Sequence, residues 1–442
     1  VGRLLMEGRL ERLQDRLHIG LVENRAVHPF SQRISATHGF SPVGFLPSKM
    51  RFAKREHIAL YARTFGSCLK LRKNHPRVVP EAYPLAALVM GGLQIADDAV
   101  IDEDTPPYVS TGAFDLEGMS SEGYASLLRF ERGRVARREI IGPVKLHAGL
   151  FQLRVSHYRY LLAKSDGRLV GGVGFHISEA DEAARILELV SADDEPVRFL
   201  LEEAVRNCVE EGRVKYIEVD VNAHAPAMQR TLVELGFIPA AYVPAMSFHR
   251  VERIDVIRMV KLLEPLDLEG VALHKTIEPL AEIVSRAFRE QEIIPRIASA
   301  APGTELFAGL SEEQVNRLAA TCEYRRFQGG ETMARKGEAD GRGFLILSGQ
   351  ANVEIDGENG VIGSIGEGEV VGELSLMGGG AHAATIVAAG ELEAAVLGHD
   401  ALCRLVRARP DIGVTVYRNL AGQLGSKLLR ADRQLASRPP DP

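Results

Sequence analysis

The sequence predicts a multidomain α/β body followed by a β-roll, and three observations carry that prediction. Its 442 residues exceed what a single hydrophobic core organises. A helix–strand–helix pattern closing at Gly-Phe occurs twice in the first two thirds, at Gly39-Phe40 and at Gly236-Phe237. From Tyr324 to Gly398, short β-like runs recur between turn glycines, the signature of a barrel or roll.

The body is organised by an internal repeat. A shift of 197 positions lays Asn24–Pro47 on Val221–Pro244 without a gap, and eight of the 24 positions agree, among them Gln32/Gln229, Gly39/Gly236 and Phe40/Phe237. Average residue usage gives roughly one or two matches over such a span, so duplication is the simplest account. Each copy reads as a helix (Gly2–Leu13; Pro196–Glu211), a strand (Leu17–Glu23; Val214–Val221) and a second helix ending at a glycine suited to a left-handed cap. Upstream of the second copy, Tyr158–Ala163 and Arg168–His176 alternate around Ser165-Asp-Gly167 as a hairpin, and Arg185–Val190 reads as a buried strand. Lys70–Arg77 reads as a solvated basic linker, Asp97–Pro107 as an exposed acidic loop and Leu127–Ile141 as a charged hairpin.

This order of hairpin, strand, helix, strand, helix, Gly-Phe and strand resembles the acetyltransferase superfamily named after the general control N-acetyltransferases (GNAT). The resemblance implies one GNAT-like mixed α/β domain over about 78–266 and the back half of another over about 1–65. It also implies acetyl-coenzyme A as cofactor, with its pyrophosphate on backbone amides at a helix start. The matching positions are Leu189, Val190, Val197, Arg198 and Asn222. Two departures weigh against catalysis. The loop Ser191–Arg198 lacks glycine and carries Asp193, Asp194 and Glu195, acids that satisfy a helix start themselves. Four residues before the Gly-Phe glycines, where the family often has a proton-donating tyrosine, stand Ser35 and Leu232. Catalytic residues are therefore unknown from sequence; Asn222 and His224 remain polar candidates for a cleft.

In the last third, Ser311 and Gln314 form a capping box for a helix over Glu312–Thr321. Strands are expected at 324–327, 331–334, 343–347, 351–355, 361–365, 384–388 and 393–398. The run Gly372-Glu-Leu-Ser-Leu-Met-Gly-Gly-Gly-Ala-His-Ala-Ala-Thr385 resembles the phosphate-binding cassette of cyclic-nucleotide-binding domains, covering about 305–435. The resemblance implies cyclic AMP or cyclic GMP as ligand, with Gly372, Glu373, Leu374, Ser375, His382, Ala383 and Ala384 at the site. Glu373 takes the place of the ribose-binding glutamate, and His382 that of the phosphate-binding arginine. A histidine lacks the permanent charge and two-pronged fork of arginine, so three readings stand: a cyclic nucleotide, a different small ligand, or a structural roll. After the roll, Ile412, Val416, Leu420, Leu424 and Leu428 form an apolar stripe on a helix. That helix closes over the ligand, pairs with its twin in a homodimer, or packs within its own domain.

A net charge of −6 leaves no footprint for nucleic acid, no helix-turn-helix follows the roll, and the four scattered cysteines show no metal spacing. Neither a membrane-length apolar run nor a signal peptide is present, which reads as cytoplasmic; the chain opens at Val1 in helix-like sequence, as a piece of a longer chain would. The expected organisation is 1–75, the C-terminal half of a first GNAT-like unit; 76–148, the start of a second plus an irregular insertion; 149–300, the second unit; 305–435, the roll with flanking helices; and 436–442, a disordered tail. Function follows in two versions: a sensor roll controlling an N-acyltransferase body acting on some acceptor, or a non-catalytic scaffold whose body binds a protein partner.

Overall fold

The computed structural model describes residues 2–109, 113–118, 139–142, 158–210, 213–249, 251–300, 303–319, 321–354, 361–378 and 380–436. The chain divides into two compact units, 1–287 and 288–442.

In the first unit the elements run α1 (Gly2–Leu13), β1 (Ile19–Arg25), α2 (Phe30–Thr37), β2 (Ser41–Arg51), β3 (Arg55–Thr64), β4 (Arg77–Val78), α3 (Tyr83–Gly92), β5 (Val100–Ile101) and β6 (Asp115–Gly118). They continue with β7 (Tyr158–Ser165), β8 (Arg168–Ser178), β9 (Ala183–Ser191), α4 (Glu195–Glu210), β10 (Tyr216–Asn222), α5 (Pro226–Glu234), β11 (Ile238–His249) and β12 (Glu252–Leu262), and α6 (Glu278–Ala300) runs from this unit into the second. Among the described residues these strands build a ten-stranded sheet in the order β1-β3-β2-β11-β12-β10-β9-β8-β7-β6, while β4 and β5 pair separately. Neighbours run antiparallel except β9 and β10, which are parallel over Ala183–Ile186 and Tyr216–Val219.

Local chemistry explains these elements. In α4, Val197, Leu200, Leu201, Ala204 and Cys208 recur at helical spacing and are buried against the sheet. The β7–β8 turn uses Asp166 (φ 50°) and Gly167 (φ 74°), the two left-handed positions that a tight hairpin demands. Gly39 (φ 74°) and Gly236 (φ 83°) close α2 and α5 in the same region. Strand β10 is buried on both faces yet carries Glu218 and Asp220, and cations surround them: Arg258 meets Asp220 at 2.7 and 2.9 Å, Arg185 meets Asp220 at 2.6 Å, and Lys49 meets Glu218 at 3.3 Å.

Two sequence expectations need correction here. The basic run at 70–77 is not a solvated linker, because Arg72 is buried and grips both Asp255 (2.7–3.0 Å) and Asp98 (2.9 and 3.1 Å). Nor is 97–107 simply an exposed loop. Asp102 is buried, pairs with Arg77 and accepts from the Thr105 amide and hydroxyl at 2.9 and 2.8 Å. Most of the hairpin expected at 127–141 lies outside the described residues.

The second unit contains α7 (Glu312–Ala319), β13 (Cys322–Phe327), β14 (Thr332–Ala334), β15 (Arg342–Ser348), β16 (Ala351–Glu354), β17 (Val361–Ile365), β18 (Val370–Val371), α8 (Glu373–Gly378), β19 (Thr385–Ala388), β20 (Leu392–Gly398), α9 (His399–Ala408) and α10 (Pro410–Ala436). Two four-stranded sheets, β13-β20-β15-β18 and β14-β19-β16-β17, form the roll. Phe327, Phe344, Ile346, Ile386 and Leu392 sit in one core cluster. The capping box is made, with Ser311 N–H on Gln314 Oε1 at 2.9 Å and Gln314 N–H on Ser311 Oγ at 3.3 Å. Ile412, Val416 and Leu420 of the α10 stripe are wholly buried among Leu306, Phe307, Leu376 and Leu402, so these three pack within their own domain and are spent as a dimer face.

Candidate functional site

The cassette is positioned by a turn and a short helix. Gly372 adopts φ 85°, and a Cβ there would lie 2.6 Å from the Arg342 carbonyl oxygen and 3.2 Å from the His382 ring, so only glycine fits. From this turn α8 starts, with Leu376 N–H on the Gly372 carbonyl at 2.9 Å and Leu376 plugged into the core. Its far end is held by His399, whose Nδ1 is 2.7 Å from the Leu376 carbonyl. Glu373 and Ser375 are buried, whereas Leu374 is 53% exposed.

The loop between β14 and β15 closes the other side. His382 donates its backbone N–H to Glu338 and accepts from Gly337 N–H, both at 2.9 Å, which ties the arginine-equivalent position to that loop. The imidazole is buried, and its Nε2 lies 2.7 Å from Asp340 Oδ1. Burial works against ionising Asp340, but the hydrogen bond with His382, the Arg342 amide and the nearby Arg342 charge outweigh it and hold the carboxyl below its ordinary range. The position where the family resemblance implies an arginine is therefore a histidine–aspartate pair, where a lone guanidinium would present a full positive charge. Of the expected residues, Gly372 lies against the His382 ring and Glu373 and Ser375 are buried on α8, while Ala383 is exposed and Ala384 half-buried on the way into β19. Asp340 was missed. Its signal was faint: an acid inside the glycine-bounded turn Gly337–Gly341.

The acyl-coenzyme A positions in the first unit are dispersed. Leu189 and Val190 are ladder partners of Val173 and Gly172 on β8, and Val197 is a core residue of α4. Arg198 is engaged by Glu202 at 2.9 Å and Glu234 at 2.5 Å. Asp193 caps α4 itself, accepting the Glu195 N–H at 3.2 Å. Only Asn222 reaches a cleft, a cavity of about 670 Å³ that it shares with His224, Glu139, Asp194, Glu195 and Lys73. Burial, then Lys73, lowers the His224 pKa, which leaves a neutral imidazole there. Leu232 is fully buried, and the Ser35 hydroxyl is bonded to Asn24, so neither faces a cleft.

Among the described residues no cluster able to hold a metal ion is present, and no helix is long and apolar enough to cross a membrane.

Comparison with known proteins points to the same segment as the cassette. The cyclic nucleotide-binding domain family matches residues 324–409. The chain is similar to the cyclic AMP receptor protein of Thermus thermophilus, 29% identical over 136 residues, 30% of this chain and 61% of that protein. It is similar also to the cAMP-dependent protein kinase regulatory subunit of Mucor circinelloides, 33% identical over 110 residues, 24% of this chain and 26% of that one. The chain thus spans less than two thirds of the curated relatives it matches. Among solved structures, a cyclic nucleotide-binding domain from Methylobacillus flagellatus aligns at 27% identity over 34% of this chain and 86% of that one, with a TM-score of 0.31. The Thermus thermophilus catabolite activator protein aligns at 28% identity over 30% and 62%, with a TM-score of 0.28. Residues 324–409 are a cyclic nucleotide-binding domain.

Proposed function

We propose that the chain is a ligand-sensing regulator in which a cyclic nucleotide, cyclic AMP or cyclic GMP, occupies the roll and controls a GNAT-like N-acyltransferase body. The observation that carries the sensor half is the cassette geometry: the left-handed Gly372, the buried Glu373 opening α8, and His382 anchored to the facing loop by two backbone bonds. A thermal-shift panel followed by calorimetry on the full chain tests it. Cyclic AMP or cyclic GMP should raise the melting temperature; no shift and no heat at millimolar ligand would remove the ligand assignment.

The body half is supported by element order. With the 197-residue offset, β1, α2, β2 and β3 fall on β10, α5, β11 and β12, and each set pairs alike, the last strand lying between the other two. On this reading the chain holds the back half of one GNAT-like domain (1–75), then the start of a second with its insertion (76–148), then that second domain (149–300). Retention of radiolabelled acetyl-coenzyme A, with and without cyclic nucleotide, tests the control: retention should rise with the nucleotide, and equal retention in both arms would refute it. The self-capped acidic start of α4 favours a second reading, a catalytically silent body that binds a protein partner. Measured acyl transfer to any amine would exclude it.

A further inference from the structure

We infer that a cyclic nucleotide enters the roll together with a proton, taken up at His382 Nδ1, so that the sensor answers to ligand and acidity jointly. This rests on the cyclic-nucleotide reading of the roll and adds a second input to it. The starting point is the tautomer that the fold imposes on the ring. His382 Nε2 lies 2.7 Å from Asp340 Oδ1, which also accepts the Arg342 N–H at 3.0 Å. These bonds outweigh the burial of Asp340 and keep it ionised. A carboxylate only accepts, so the hydrogen of the His382 bond sits on Nε2, and a neutral ring then carries a bare lone pair on Nδ1. Among the described residues Nδ1 makes no hydrogen bond. The ring is 1% exposed, and its backbone is tied to the facing loop in both directions. Flipping it puts the carbon Cε1 against Asp340 and breaks the pair.

The free oxygens of a cyclic phosphate are acceptors too. Against them an Nδ1 lone pair is repulsive, whereas an Nδ1–H is a charge-assisted donor. The charges around the ring make the same demand. Asp340 on the β14–β15 loop and Glu373, 5% exposed at the start of α8, are the inner acids. The inner cation is Arg342, which opens β15 with its Nε 3.7 Å from Asp340 Oδ2. Arg335, Lys336 and Glu338 on the loop are exposed, where water and salt screen them. Phe344 presents an aromatic ring, His399 turns its own ring to Leu376 and Cys403, and the stretch 378–385 holds no other charged residue. Two inner carboxylates against one guanidinium leave the pocket negative. A proton on Nδ1 supplies, conditionally, the positive charge that an arginine carries at every pH. The complex holds that proton more tightly than the free chain does, so affinity is highest in acid. It falls as pH rises, by up to about tenfold per pH unit for a single proton.

The test is calorimetry of cyclic AMP and cyclic GMP on the full chain between pH of about 6 and about 8, repeated in buffers of different ionisation enthalpy to count protons. Wild type should lose affinity toward the tenfold limit and take up close to about one proton per ligand where the slope is steepest. Two variants separate the proton from everything else. In Asp340→Asn the side-chain amide donates to Nε2, so a neutral ring keeps its hydrogen on Nδ1 and meets the phosphate without uptake. Binding should then be about tenfold tighter than wild type at pH of about 8, and flat across the range. His382→Arg should likewise bind with no pH dependence and no proton uptake. Wild-type binding with flat affinity and no uptake overturns the inference and leaves the cyclic-nucleotide reading standing. A slope that persists in both variants, or binding by His382→Arg alone, does the same. No binding by wild type and folded variants at any pH removes the cyclic-nucleotide reading and the inference with it. Should a variant fail to fold, as judged by circular dichroism, the other decides, and the proton count on wild type needs neither.

Discussion

Replacing His382 with arginine tests the sensor site most directly. The histidine ring is 1% exposed and has Nε2 committed to Asp340 at 2.7 Å, which leaves one ring nitrogen for any other partner. Arginine has five donors and a permanent charge, so a two-pronged pair with Asp340 still leaves donors for a phosphate. A charge-assisted contact of that kind contributes about 2–3 kcal/mol, or roughly a hundredfold in Kd. The larger side chain also has to fit beside Gly372, where a Cβ would already stand 3.2 Å from the ring. Overpacking of that order costs about 1–3 kcal/mol of fold stability. The expected outcome for H382R is therefore a lower melting temperature without ligand and a much larger ligand-induced rise, with calorimetry showing cyclic AMP or cyclic GMP bound about a hundredfold tighter than by wild type. A folded H382R whose affinity stays within about threefold of wild type would show that position 382 does not face a phosphate.

Three further outcomes follow from named groups. Gly372→Ala puts a Cβ against the Arg342 carbonyl in a left-handed conformation, costing about 1–2 kcal/mol for the backbone alone, and should abolish the thermal response to cyclic nucleotide; an unchanged response would refute the turn's role. Burial pushes the Glu218 carboxyl up, but Arg258, Lys49 and Arg185 pull it well below its ordinary value. Its stabilising effect is present above the unfolded pKa of about 4.3 and is lost as pH falls through the lower folded value, so Glu218→Gln should flatten the acid limb of a stability–pH curve, while Arg258→Met, which strips a cation from buried acids, should cost about 3–5 kcal/mol in urea unfolding. His57 is held below its ordinary pKa chiefly by burial, and its Nδ1 accepts the Ser48 N–H at 3.1 Å; it should stay neutral in an NMR titration to below pH of about 6.5, with stability declining as pH falls from that value through the folded one.

What the sequence made legible was whatever a residue states about its own backbone. Gly39, Gly167, Gly236, Gly337 and Gly372 all have positive φ, and Ser311/Gln314 closes its capping box, because these rules act over a few residues. Strand ends were read within about two residues, as at β1 and β10, since fraying and pairing partners set them. The two-residue β18 was missed for want of any periodicity. Long-range charge pairing was invisible. Arg72 looked like part of a solvated basic run until Asp255, 183 residues away, was brought against it, and Asp340 needed the fold to find His382, 42 residues on. Of the candidate site, the cassette was readable from one stretch of sequence; the Asp340 partner of His382 was not, because the pair joins two separate segments.

At the roll the polar surface already has a partner from the chain itself, Asp340 at His382. A ligand there must be measured against that internal occupant as well as against water. If the His382–Asp340 pair is open in only one molecule in about a hundred, the apparent Kd of a ligand that needs it open is raised about a hundredfold over the intrinsic one, and anything that binds the open form better shifts that ratio in proportion. Weak binding to the wild-type chain is thus the expected state of an intact site, and affinity gained on releasing the occupant, rather than affinity in the resting protein, is the quantity that separates a self-blocked site from an absent one.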